Sequence, residues 1–536
     1  MKYLLATGLL FLSLLCPTAG FSQASGTTGQ TVLVVPFENQ SKAPGIQWIG
    51  DSFPELLQER LNAPTLFVLP REDRIRAYDR LGIPVDLRPS RATIYRIAEQ
   101  LDADYVVLGD YDFDGQIFTV RGQLLDMRRP HLFPEMVESG RLTDLINLQT
   151  ALAWDLLHTL KPDLAITREA YVGQMSTVRL DALENYVKGV IAPQIDDQIR
   201  HLREAVHIAP AYSEALLQLG KVYYGQHEYE QADSYLSRIP RDDPKASEAN
   251  FYLGLAAYSR EDFPLAESAF NFVAARLPLS EIYNNLGVVL DRRDLKSAVE
   301  YFQKAVDDDP NDADYHFNLG LELYRTKELA EASRQLREAI SLRPDDKDAQ
   351  SLLDVLSTGS NSRPRGVVPA SAKLPTVRLR TSYDESSFRQ LAIKIDAAAE
   401  VRLARVDSAT HAQFHSDRGH QLLQQGFLPE AEREFREALA LNPASPEAHA
   451  GLASALEGEN NLAGARAEAA EAFRLRQFAE PLLVLARLDL RDNRVDTAAE
   501  EINRALHLEP NNTAAQALKR SIEAKVAKEA QPLPSR

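Results

Sequence analysis

The feature that most constrains this chain of 536 residues is a repeat that fixes its own length. A Leu-Gly pair recurs as Leu219-Gly220, Leu253-Gly254, Leu286-Gly287 and Leu319-Gly320, so successive glycines stand 34, 33 and 33 residues apart. The alanines Ala232, Ala266, Ala298 and Ala332 keep step, as do the prolines Pro244, Pro278, Pro310 and Pro344. This spacing predicts a helix, a turn and a second helix per unit, with small residues where the two helices touch. Such a unit has an apolar face that it cannot bury alone, so stacked neighbours supply the core and a polar last helix closes it.

The fullest copy, ADYHFNLGLELYRTKELAEASRQLREAISLRP from Ala313 to Pro344, carries Leu319, Gly320, Ala332, Leu336, Ala339 and Pro344 at these offsets and resembles a tetratricopeptide repeat. Gly419, Ala431, Phe435, Ala438 and Pro443 repeat the pattern, and weaker copies follow around Ala453 to Ala472 and Ala486 to Pro510. A degenerate copy from Glu184 to Pro210, about three residues short between its helices, opens the first array. The resemblance implies a concave groove. The positions facing it in such arrays are occupied here by Tyr224, Phe251, Tyr258, Asn284, Arg292, Phe317, Tyr324 and Arg325. Aromatic and Arg side chains are common anchors of protein recognition, so the expected partners are proteins or peptides. The alternative for each tyrosine is packing against the next repeat. The Lys and Asn set with which chaperone-binding members hold a terminal carboxylate is missing, which disfavours that partner class.

Residues 31–162 follow a different rule. TVLVVPF (Thr31 to Phe37) is a Val-rich apolar run that reads as a buried strand. An amphipathic segment from Trp48 to Leu61, further strands at Leu66 to Leu69, Asp104 to Tyr111, Gln116 to Met127 and Glu135 to Arg141, and helices near Glu72 to Leu81, Ala92 to Leu101 and Leu145 to Leu160 complete an α/β domain. Its segments VLVVPFENQS, WIGDSFPELLQERL, IAEQLDADYVVLGDYDFDG and FTVRGQLLDMR resemble the amino-terminal domain shared by TolB-type and FlgO-type bacterial envelope proteins. That resemblance brings no catalytic motif. The expected fold class is therefore an α/β domain followed by an all-α tetratricopeptide solenoid in two arrays, 180–356 and 411–528, the second with a capping helix. Leu352, Leu353 and Leu356 are expected to cap the first array. Ser357 to Pro375 is rich in Ser, Pro and Gly and reads as exposed, giving a linker over 357–378, with a connecting helix over 382–410.

The chain begins MKYLLATGLLFLSLLCPTAGFSQASG, in which Lys2, the apolar run Tyr3 to Leu15 and the small residues before Ser25 read as a secretory signal peptide over 1–24. Export to the periplasm or beyond follows as an expectation, with no transmembrane segment in the mature chain and peripheral association with the envelope left open. Cys16, the sole cysteine, raises lipidation, but Leu14, Leu15 and Pro17 fit that poorly. A mature chain without cysteine has neither disulfides nor thiol chemistry. The net charge of −17 argues against nucleic acid, since phosphate binding needs clustered Lys and Arg.

Three constellations invite chemistry, and each has a plainer reading. Asp110, Asp112, Asp114 and Gly115 open like a calcium loop, but Arg121 stands where a bidentate Glu is required, and a hairpin turned at Asp114 and Gly115 explains them equally. Gly50, Asp51, Ser52 and Phe53, with Asp155 and His158, imitate two blocks of GDSL-type esterases; the plainer reading is that Asp51 or Ser52 caps the first helix. His411, His415 and His420 share a helix, but Ala412 replaces the Glu of a metalloprotease motif and His415 falls at a packing position. The sequence thus favours an exported, non-enzymatic scaffold without cofactor or metal. A hydrolase centred on Ser52, or a calcium- or ligand-sensing regulator acting through the α/β domain, stands as the alternative.

Overall fold

The computed structural model describes residues 30–61, 66–84, 89–162, 166–175, 178–293, 296–361, 374–391, 406–425, 428–459 and 461–529. The stretch read as a signal peptide, with Cys16, lies outside them. The first unit contains β1 (Gln30–Val34), β2 (Glu38–Asn39), α1 (Ile49–Arg60), β3 (Leu66–Val68), α2 (Arg71–Arg80), α3 (Arg91–Gln100), β4 (Tyr105–Phe113), β5 (Phe118–Asp126), β6 (His131–Leu132), β7 (Met136–Gly140), α4 (Leu145–Leu160) and α5 (Arg168–Gln174). Its sheet runs β3-β1-β4-β5-β6, with β1 parallel to β3 and β4, and β5 antiparallel to β4, β6 and β7. β1 is apolar from Val32 to Val34 because both faces are covered there. Val32 and Val34 join a core with Phe53 of α1 and Leu152 of α4, whereas Leu33 and Val35 join one with Tyr78 of α2 and Ile97 of α3.

Ten helices then pair as α6 (Leu180–Ile191) with α7 (Ile195–Ile208), α8 (Ser213–Gly225) with α9 (Tyr229–Leu236), α10 (Ala246–Ser259) with α11 (Phe263–Ala274), α12 (Ser280–Arg292) with α13 (Ala298–Asp308) and α14 (Ala313–Arg325) with α15 (Leu329–Leu342). The next helix, α16 (Lys347–Asn361), closes this array, with Leu352 buried and Leu353 and Leu356 packed against the same core. Residues 385–391 form a short helix, α17. The second array pairs α18 (Ser408–Gln425) with α19 (Leu428–Leu441), α20 (Pro446–Gly458) with α21 (Leu462–Leu475) and α22 (Ala479–Arg491) with α23 (Val495–Leu508), before α24 (Thr513–Glu529). Among the described residues no helix is long and apolar enough to cross a membrane.

The Leu-Gly signal has a steric cause. A Cβ on Gly254 would lie 2.7 Å from the Phe270 ring, one on Gly419 the same distance from Phe435, and one on Gly220 only 2.5 Å from Leu236. In the pairs α8–α9, α10–α11, α12–α13, α14–α15 and α18–α19 a glycine of the first helix is the notch that receives a large buried side chain of the second, whereas Gly451 of α20 receives Phe435 of the preceding α19. In the degenerate opening copy Gly189 receives Leu202, three residues closer in sequence than Gly320 stands to Leu336, which accounts for the missing residues. Of the linker expected over 357–378, residues 362–373 lie outside the described residues, and both ends are structured. α16 runs on to Asn361, and residues 374–384 lie extended against the first array with Val377 only 8% exposed.

Candidate functional site: the concave face of the first array

One face of the first array is lined by α10, α12 and α14, the first helices of three successive pairs. The column three residues before Gly254, Gly287 and Gly320 holds Phe251, Asn284 and Phe317, all fully buried, and the next column holds Tyr252, Asn285 and Asn318. What covers them is the chain itself. Asn318 Oδ1 accepts from the Arg378 backbone N–H at 2.7 Å, while its Nδ2 donates to the Arg378 carbonyl at 2.8 Å, and Asn284 Nδ2 donates to that same carbonyl at 2.9 Å. Asn285 treats Arg380 alike, accepting from its N–H and donating to its carbonyl, both at 2.8 Å. A carboxamide offers one acceptor beside two donors, so each Asn reproduces the edge of a neighbouring strand. Residues two apart on an extended chain point their main-chain groups to the same side, which is why Arg378 and Arg380 are both held.

The side chains add a second layer. The Arg378 guanidinium lies 3.7 Å from the centre of the Phe317 ring and pairs with Asp314 at 2.8 Å and Asp346 at 2.6 Å. Arg380 sits over Tyr315 and pairs with Asp314 at 3.1 Å and with Asp312. Hydrogen bonds from Arg378 hold the Asp346 carboxyl below its usual range; burial would raise that of Asp314, but hydrogen bonds from Arg343 and Arg378 bring it below as well. Further along, Asp384 N–H donates to Glu281 Oε1 at 2.8 Å and the Tyr383 ring packs 5.2 Å from that of Phe251. The strap formed by 374–391 then reaches the α/β domain, where Ser386 donates to Asp73 of α2, and the second array, where Arg389 stands 4.0 Å from Glu430.

Of the residues expected in the groove, Phe251, Asn284 and Phe317 line the strap. Tyr258, Arg292, Tyr324 and Arg325 lie toward the carboxy-terminal ends of their helices, where Tyr258 packs on Phe263, Arg292 stands over the same ring and Arg325 pairs with Asp291 and Glu322. Tyr224 packs between Tyr229 and Tyr252, and burial pushes its hydroxyl up to about 12. Sequence reasoning missed Asn285, Asn318, Glu281, Asp314 and Asp346. A signal was available, since Asn285 and Asn318 precede their glycines by the same two positions.

The other constellations resolve locally. Ser52 is not a helix cap: α1 starts at Ile49, and the buried Ser52 hydroxyl donates to the Ile49 carbonyl at 2.7 Å and accepts from Gln149 Nε2 at 2.6 Å. An amide takes up no proton, and the other esterase-like residues are engaged elsewhere, His158 stacked on Trp154 and Asp155 at 3.8 Å from Arg168. Ser52→Ala is therefore expected to destabilise the α/β domain by about 1 to 3 kcal/mol, by stranding the buried Gln149 amide. Thermal melts measure this, and an unchanged melting temperature would count against the pairing. Asp114 Oδ1 caps the β4–β5 hairpin, accepting from the N–H groups of Gln116 and Ile117 at 2.8 Å each, beside Gly115 at φ +99°, while Asp110 pairs with Arg121 across the strands at 2.8 Å. His415 Nδ1 is 2.7 Å from Glu434, a contact matched by His316 with Gln335 and His449 with Glu468, each pair 19 residues apart. This is a packing device repeated in three units. Among the described residues no group of three His, Cys, Asp or Glu is placed to hold a metal ion.

Residues 194–253, 288–350 and 416–480 match the tetratricopeptide repeat family. A BBSome complex member BBS4 homolog of Drosophila melanogaster is 27% identical over 178 residues, 32% of this chain and 37% of that protein, so the chain spans little more than a third of that relative's length. Among solved structures, YrrB, described as a TPR protein with an unusual peptide-binding site, is 18% identical with a TM-score of 0.31, covering 32% of this chain and 92% of its own. MamA is 22% identical with a TM-score of 0.28, covering 32% of this chain and 97% of its own. The helical part of this chain is thus a solenoid of tetratricopeptide repeats that follows an α/β domain.

Proposed function

We propose that this protein is a non-enzymatic scaffold that holds protein or peptide partners along the concave faces of its repeats, and that it does so after export to a bacterial envelope. Repeats of this family are generally protein-interaction scaffolds. The observation that carries the reading is that the first array already grips an extended stretch of polypeptide by its main chain, through Asn284, Asn285 and Asn318. Sites that grip main-chain groups are suited to peptides, because those groups recur at every residue. The envelope setting rests on Lys2 and the apolar run that follows it, and on the likeness of 31–162 to TolB-type and FlgO-type domains.

The rim formed by exposed Arg292 and Arg325 and half-buried Tyr324 supplies the test. Full-length protein serves as bait in envelope extract beside a variant carrying Arg292→Ala, Tyr324→Ala and Arg325→Ala. The variant is expected to lose a captured protein by a factor of about 30 or more, since anchor residues often contribute roughly 2 kcal/mol or more. Capture of the same proteins by both, or of none by either, would sink the groove reading. Recovery of the intact amino terminus on cytoplasmic protein would remove the export.

A further inference from the structure

We infer that the concave face of the first array reads an extended basic segment with arginines two residues apart, and that residues 374–384 are its resident ligand, which a segment of the same chemistry on another polypeptide displaces. This deepens the scaffold reading and rests on it.

The groove has the two components of a peptide-reading site. Asn285 and Asn318 bind main-chain groups without regard to sequence, each saturating one residue of the strap. Selectivity comes from the acidic wall. Asp312, Asp314 and Asp346 surround the two guanidinium groups, Asp348 stands 3.6 Å from Arg378, and the Phe317 and Tyr315 rings provide flat faces beneath them. Planar guanidinium groups suit both carboxylates and aromatic faces, which a lysine ammonium does not match. The chain as a whole carries −17, so a basic segment is the complement of the protein and the strap is an exception within it. Apolar Val377 and Leu379 alternate with the arginines and pack on the array core. The sequence read is therefore Val-Arg-Leu-Arg followed, three residues on, by an aromatic that meets Phe251.

A tethered ligand competes with an effective concentration that reaches millimolar for short linkers. A partner consequently binds only the fraction of molecules whose strap is open, and its apparent affinity falls by that fraction. The strap also touches the α/β domain through Ser386 and the second array through Arg389, so displacing it alters contacts in all three parts of the chain.

The test uses the full chain and a labelled synthetic peptide, LPTVRLRTSYD, copied from residues 374–384. Full-length protein carrying Arg378→Glu and Arg380→Glu is expected to bind this peptide at least about tenfold more tightly than wild type, because its own strap no longer competes. A peptide carrying the same two substitutions should bind neither protein. Equal affinity of both proteins for the peptide, or no binding by either, overturns the proposal. Should the variant fail to fold, hydrogen exchange on the wild type decides instead. Excess peptide should speed exchange of the Arg378 and Arg380 amides, and unchanged protection would mean that the strap is a permanent part of the fold. A concentration-dependent dimer with full strap protection would assign the groove to strap exchange between copies and overturn binding of a different polypeptide. Loss of peptide binding alongside continued rim-dependent capture from extract would remove this inference alone, whereas loss of both would remove the scaffold reading too.

Discussion

Replacing Phe302 by Ala is expected to destabilise the first array by about 3 to 5 kcal/mol, the usual cost of deleting a buried aromatic ring where the surroundings relax only in part. Phe302 is fully buried, and its ring fills the notch at Gly287, where an added Cβ would stand 2.6 Å from it. The contact joins α12 to α13, and α12 also carries Asn284 and Asn285, so the loss should reach the strap. Gly287→Leu approaches the same contact from the other side, and overpacking of this kind costs about 1 to 3 kcal/mol. Urea denaturation followed by circular dichroism measures both. A loss below about 1 kcal/mol for Phe302→Ala would mean that the notch is not tightly packed, contrary to the geometry.

The notch also explains what was legible in the sequence. A glycine facing a large residue about sixteen positions later is a steric requirement of two helices in contact, so Gly254 with Phe270 and Gly419 with Phe435 betray the helix pair without any knowledge of the rest. β1 was legible for a similar reason, because a strand covered on both faces has no polar side to break its apolar run. β2 and β6, two residues each, leave no periodicity to detect. The strap was illegible on its own terms. Its order comes from asparagines some 60 to 95 residues away in sequence, and no local pattern within 374–384 encodes a partner so distant. Its Pro and Ser neighbours carry the composition of an exposed connection. Likewise, Ser52 looked like a cap because caps are defined by nearby sequence, whereas its actual partner Gln149 lies on α4.

The carboxylates that hold the strap should make it open in acid. Asp346→Asn removes the charge that faces Arg378 at 2.6 Å, with its own side chain only 3% exposed, and should lower the free energy of strap opening by about 1.5 to 3 kcal/mol, the range for hydrogen bonds to charged groups. The same logic fixes the pH dependence. Asp346 and Asp314 both titrate below their ordinary value of 3.8 in the folded protein, so their contribution is fully present above that pH and is lost as the pH falls through the folded values. Around them stand Arg343, Arg378 and Arg380, which stay charged throughout, with Asp309, Asp312 and Asp348 at the margin. Glu281 works in the opposite sense. Burial raises its carboxyl above 4.5, so its charged form weakens the fold as the pH climbs past that value, offset in part by the Asp384 N–H. Protection of the Arg378 and Arg380 amides, corrected for intrinsic exchange chemistry, should accordingly be lost in acid below about pH 4 in the wild type, as Asp346 and Asp314 take up protons. In Asp346→Asn it should already be reduced at pH 7. Equal protection of the two proteins at neutral pH would show that the asparagine clamps alone hold the strap and that the acidic wall contributes nothing to its grip.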